Sequence, residues 1–155
     1  MADFTEIKKE REDIQSIFDN ALSDTSIPTF VRFRLLGNNK LKQLYKIQKL
    51  SDLYVTLSEG LNFAVVINEE IFDQLTDDMQ VLMFEEVLNG VFVDMEHEKI
   101  TLEQPDFSTY SGLLAKHGAD NLIRYKESVK SLIEAKLQKE KDEKQAKLDS
   151  KRRKK

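Results

Sequence analysis

The chain has 155 residues, 40% hydrophobic and 34% charged, with a net charge of −4 and no cysteine. That is enough for one domain with a real core, and it excludes disulfides, thiolate zinc sites and a cysteine nucleophile. No stretch has the length and apolarity of a membrane span, and the opening MADFTEIKKERED lacks the apolar core of a signal peptide, so a cytoplasmic location is expected.

The charge is uneven. Residues 136–155 hold ten Lys/Arg and four Asp/Glu, which leaves the rest of the chain at −10. An acidic body argues against non-specific duplex binding by the globular part.

In chain order, Phe4–Leu22 predicts a helix. Phe4, Ile7, Ile14, Phe18 and Ala21 recur at helical spacing, interrupted by Arg11. Its apolar stripe faces either the domain core or a partner protein. Residues 23–28 are a loop by composition. Thr29–Leu36 alternates as a half-exposed strand, with Phe30, Phe33 and Leu35 against Arg32 and Arg34. Lys40–Leu57 fits a helical period, with a break at Ser51. Arg32, Arg34, Lys40, Lys42, Lys46 and Lys49 make this the basic region of the body, read as solvated side chains or as a local anion site.

Phe63–Ile67 is a short β-branched run that predicts a buried strand, followed by a turn-like connection. Thr76 is an N-cap candidate, and Asp77 and Asp78 suit the positive end of a helix dipole. The helix expected over Met79–Val93 is apolar on most sides and belongs in the middle of the core. Glu85 and Asn89 share one face of it and Glu86 lies one step round. This is the spacing of a His-Glu-x-x-His helix, where two histidines bind zinc and the glutamate activates the metal-bound water. Taken alone, the residues predict a structural helix with two solvated carboxylates.

Lys99–Leu102 predicts a short strand and Gln104-Pro105-Asp106 a turn. A helix capped by Asp106 or Ser108 follows, with Phe107, Tyr110, Leu113 and Leu114 inward and a stop at Lys116-His117-Gly118. The last helix starts near Asp120 on a stripe of Leu122, Tyr125, Val129, Leu132, Ile133 and Leu137. Beyond Leu137 charge takes over. Lys151, Arg152, Arg153, Lys154 and Lys155 are expected to be disordered and are the candidate contacts to a partner or to nucleic acid. His97 and His117 are too few for a three-histidine zinc site and are expected at surface or capping positions. No Walker loop, dinucleotide fingerprint or nucleophile elbow is present.

The run from about Val31 to Gly118 resembles a family of phage-encoded metallopeptidase-like proteins. The segments that carry the likeness are Phe63–Asn68, Ile71-Phe72-Asp73-Gln74-Leu75, the helix over Phe84–Asn89, Pro105-Asp106-Phe107 and Lys116-His117-Gly118. The family's helix reads Asp-His-Glu-Leu-x-His, and a further histidine follows downstream. The resemblance implies an α+β, zincin-like fold: a small domain with a short sheet on a central buried helix, plus a long C-terminal helix and a basic tail. The departures fall on the chemistry. Phe84 stands at the aspartate, Glu85 and Asn89 at the helix ligands, and Pro105 at the downstream histidine. Proline offers no side-chain ligand and asparagine is a poor zinc donor. Of that constellation only the glutamate, Glu86, remains.

The resulting expectation is one globular domain over 1–137 and a charged extension over 138–155. No metal or other cofactor is expected. The favoured function is that of a non-catalytic phage protein that binds and modulates a host or viral macromolecule, its acidic body meeting a basic surface. One alternative is a residual metal-dependent hydrolase with Glu86 as base and carboxylates Glu85, Asp94 and Asp106. The other is a nucleic-acid-associated protein acting through its basic tail.

Overall fold

The computed structural model describes residues 4–97, 99–103 and 111–154. The fold is α+β. A four-stranded sheet has the order β1 (Thr5–Glu6), β2 (Arg32–Gly37), β4 (Leu61–Ile67), β3 (Tyr45–Lys49). β2 and β4 run parallel; β1 and β3 are antiparallel edges. A separate two-stranded hairpin joins β5 (Val91–Asp94) to β6 (Lys99–Leu102). The helices are α1 (Ile7–Glu10), α2 (Glu12–Ser23), α3 (Asp52–Leu57), α4 (Glu69–Asp73), α5 (Asp77–Asn89), α6 (Ser111–His117) and α7 (Ala119–Arg153).

The core lies between one sheet face and α2 and α5. Leu35, Val65 and Ile67 from the sheet meet Ile14, Phe18 and Ala21 of α2 and Leu82, Met83, Phe84, Val87 and Leu88 of α5. An aromatic chain runs through it. The Phe18 ring stands edge-on to Phe33 and Phe84, each at 5.4 Å, and Phe33 stacks on Phe63 at 5.3 Å. Phe84 is fully buried. Its site is an aromatic packing site, in which a carboxylate would lose its water without gaining a partner.

Several elements differ from expectation, each for a local reason. The stretch Phe4–Leu22 is not one helix. Thr5 and Glu6 pair with Gly37 and Leu36, and the chain breaks again at Arg11. There the guanidinium binds Asp13 at 3.0 Å, Glu69 at 3.2 Å and Asp73 at 2.7 Å, tying the break to α4. Its pKa is raised by hydrogen bonds to Asp13 and Asp73, and Arg11 in turn holds Asp13 below the ordinary carboxylate value. A Cβ at Gly37 would meet the Thr5 hydroxyl and the Glu69 carboxylate, so a larger residue there would have to displace those side chains.

The expected strand over Thr29–Leu36 starts only at Arg32. The first part of Lys40–Leu57 is the edge strand β3, where pairing with β4 overrides a pattern that also fits a helix. The break at Ser51 is present: its side chain caps α3. The connection after Ile67 is a helical turn, α4, capped by the buried Asn68, whose amide also donates to the Leu41 carbonyl at 2.8 Å. Thr76 caps α5 as expected, but α5 ends at Asn89 rather than Val93. Gly90 ends it, and the β-branched Val91 and Val93 join the hairpin. Strand β6 is where the sequence places it.

The turn and cap expected over residues 104–110 lie outside the described residues. In α6 Leu113 is buried, but Leu114 is exposed rather than inward. Gly118 takes φ 80° and separates α6 from α7. Helix α7 has no break at Leu137. Leu122 and Tyr125 are buried and Val129, Leu132 and Ile133 half-buried, while every described residue after Leu137 is exposed. The tail is helical to Arg153, not disordered from Lys151. Spaced pairs such as Gln138–Asp142 and Gln145–Asp149 support it, and Lys151, Arg152 and Arg153 suit the negative end of the helix dipole. Among the described residues no helix is long and apolar enough to cross a membrane.

Candidate functional site

The three helix positions singled out by spacing do not converge. Glu86 points toward the sheet edge and α7, whereas Glu85 and Asn89 line a cavity beside α2 and α6. The faces differ because neighbours in a helix stand about 100° apart and different elements pack on each side.

Glu86 is 5% exposed, a buried carboxylate rather than the solvated one expected. Tyr45 of β3 donates its hydroxyl to Oε1 at 2.6 Å, and Lys126 of α7 donates to Oε2 at 2.6 Å. Each carboxylate oxygen thus has a strong donor, which a buried charge requires. The arrangement ties three elements: the central helix, the edge strand and the last helix. Burial, and secondarily the Glu86 charge, pushes the adjacent Tyr125 phenol well above its ordinary range, so it stays protonated. Lys126 also stands 5.4 Å from the centre of the Tyr125 ring. Above the pair lies a cavity of about 390 Å³ whose apolar walls include Leu44, Ile47, Leu102 and Val129.

Glu85 accepts from His117 Nε2 at 2.8 Å and from Lys116 at 3.0 Å, fastening α5 to α6. Burial raises the Glu85 pKa, but the His117 and Lys116 hydrogen bonds outweigh it, and the net position is below the ordinary value. The His117 imidazole is therefore a tether rather than a bare cap. Asn89 is exposed and turns its amide back to the Glu85 carbonyl at 2.7 Å. The neighbouring cavity, about 450 Å³, is walled by Ile17, Ala21, Val81 and Leu113.

These side chains do not suit zinc. Glu85 is committed to two donors, Asn89 to its own helix, and Pro105 lies outside the described residues. Asp94 of the alternative carboxylate set caps the turn between β5 and β6. Its Oδ2 lies 2.8 Å from His97 Nδ1, and that hydrogen bond holds its pKa below the usual value. Asp106 lies outside the described residues. Among the described residues no group of three or more His, Asp or Glu side chains is placed to hold a metal ion.

The basic residues of the body are dispersed by the fold. Arg34 and Lys46 stand on one sheet face, Arg32 donates to the Glu59 carbonyl, and Lys40 and Lys42 lie in the β2–β3 loop beside α7. Of the tail cations, Lys151–Lys154 are exposed at the far end of α7, away from both cavities, and Lys155 lies outside the described residues. The sequence reading missed Tyr45 and Lys126. Lys126 left only a weak signal, its place next to the inward Tyr125 on the apolar stripe of the last helix. Tyr45 left none, because its segment fits helix and strand alike. Comparison with known protein families, with characterised proteins and with solved structures finds no match.

Proposed function

We propose that the protein is a non-catalytic member of a metallopeptidase-like scaffold, of phage origin and acting in the host cytoplasm, that binds and modulates a host or viral macromolecule. The observation that carries this reading is the engagement of Glu86. The one residue retained from the His-Glu-x-x-His pattern is buried and bound at both oxygens by Tyr45 and Lys126. A general base has to reach a water and take its proton. A carboxylate neutralised by an ammonium at 2.6 Å serves packing instead. The positions beside it, Glu85 and Asn89, are likewise occupied in fastening helices together.

The test is peptide cleavage with zinc added, together with elemental analysis of the purified protein. No cleavage and no stoichiometric zinc are expected, and Glu86→Gln is expected to alter stability alone. Zinc held at about one per chain, with cleavage that disappears in Glu86→Gln, overturns the reading. Affinity capture from bacterial lysate with mass spectrometry then names the partner.

A further inference from the structure

Among the described residues, the sheet's buried side chains all lie on one face. Phe63, Val65 and Ile67 face the helices and are fully buried. The alternate residues point the other way, and all remain half-exposed or exposed. Strand register places them in two rows, Arg34–Ala64–Gln48 and Leu36–Val66–Lys46. An apolar strip of Leu36, Ala64 and Val66 therefore has Arg34 on one flank and Lys46 on the other. Neither cation has an ion-pair partner among the described residues, in a chain where acidic side chains outnumber basic ones. Glu6, the carboxylate on the same face, is taken by Lys9 at 3.2 Å.

We propose that this open face docks an acidic amphipathic helix of a partner protein. The proposal rests on the reading of the chain as a binding protein and names the chemistry of the partner. Arg34 and Lys46 are two strands and two residues apart, which puts their Cα atoms about 12 Å from each other. A helix is about 10–12 Å across, so one seated on the strip brings carboxylates on its two flanks to the two cations. The central β2–β4 pair is parallel, and parallel strands ordinarily carry helices on both faces. Single-stranded nucleic acid fits less well, because the strip offers no aromatic ring for a base to stack on. A second copy fits less well too, because a two-fold pairing would set the same cations against each other.

The test uses roughly 14-residue helical peptides with a fixed leucine stripe and either Glu or Lys along its flanks. The Glu-flanked peptide is expected to bind and to shift the amide resonances of Leu36, Ala64 and Val66, and the Lys-flanked one is not. In the double variant Arg34→Glu, Lys46→Glu, both changes are on the surface and circular dichroism verifies the fold. Affinity for the Glu-flanked peptide should fall about tenfold or more, and the Lys-flanked peptide should become the preferred ligand. The proposal is overturned if preference does not follow the charge reversal or if the shifts map elsewhere. It is equally overturned if an oligothymidine or self-association, rather than the peptide, produces those shifts. Failure here leaves the non-catalytic reading untouched, since zinc content and cleavage read that separately.

Discussion

The regions on either side of α5 hold neighbouring glutamates in opposite circumstances. On the strand side Glu86 is buried, and both its oxygens are bound by residues 41 and 40 positions away in sequence. On the α6 side the Glu85 side chain is 15% exposed and is held by a half-exposed histidine and an exposed lysine. One side is a buried ionic joint between three elements; the other is a peripheral latch between two helices. Adjacent positions turn the two carboxylates to different faces of the helix, but helix position alone does not set their circumstances. They come from what packs opposite, which is why spacing alone misjudged both carboxylates.

The largest effect expected belongs to the helix that separates the two regions. Leu88→Ala removes a side chain 3% exposed in the core and should cost about 2–5 kcal/mol in denaturant unfolding. A shift near zero would mean that α5 is not the common support of both sides. Next comes Lys126→Met, which strands the buried Glu86 charge. It should cost about 2–3 kcal/mol, discounted from the fully buried case because the Lys126 side chain is 36% exposed. Tyr45→Phe removes only a neutral donor, and about 1 kcal/mol is expected.

The latch should respond to acid. The folded Glu85 pKa is depressed, so its contribution is present above the ordinary value of 4.5 and is lost as pH falls through the folded value. Comparing wild type with Glu85→Gln across pH 7 to about 3 should show a difference that shrinks at the acid end. A difference that grows with acid would contradict the latch. The smallest effect is expected from deleting residues 138–155, which should leave stability within about 0.5 kcal/mol because the described residues of that segment are all exposed.

The core was readable in the sequence. The run Phe63–Ile67, the Thr76 cap and the apolar α5 each carried signals stronger than any competing pattern. The boundaries that failed were decided by pairing or charge at a distance. Arg11 breaks a good helical stripe because Asp73 lies opposite. Tyr45–Lys49 becomes a strand because β4 offers it an edge, and Val91–Val93 leaves the helix for a hairpin. The candidate site was legible only as a set of positions. That Glu86 would be buried and paired depends on Tyr45 and Lys126, and nothing local in the sequence connects them.

The measurement that bears most directly on Glu86 as a structural residue is a double-mutant cycle with Glu86→Gln and Lys126→Met. Unfolding free energies of the wild type, the two single variants and the double variant yield the coupling between the pair. A buried joint predicts coupling of about 1.5–3 kcal/mol, with the double variant less destabilised than the sum of the singles. Additive effects, within about 0.5 kcal/mol, would show that the two residues do not hold each other and would leave Glu86 free for other chemistry.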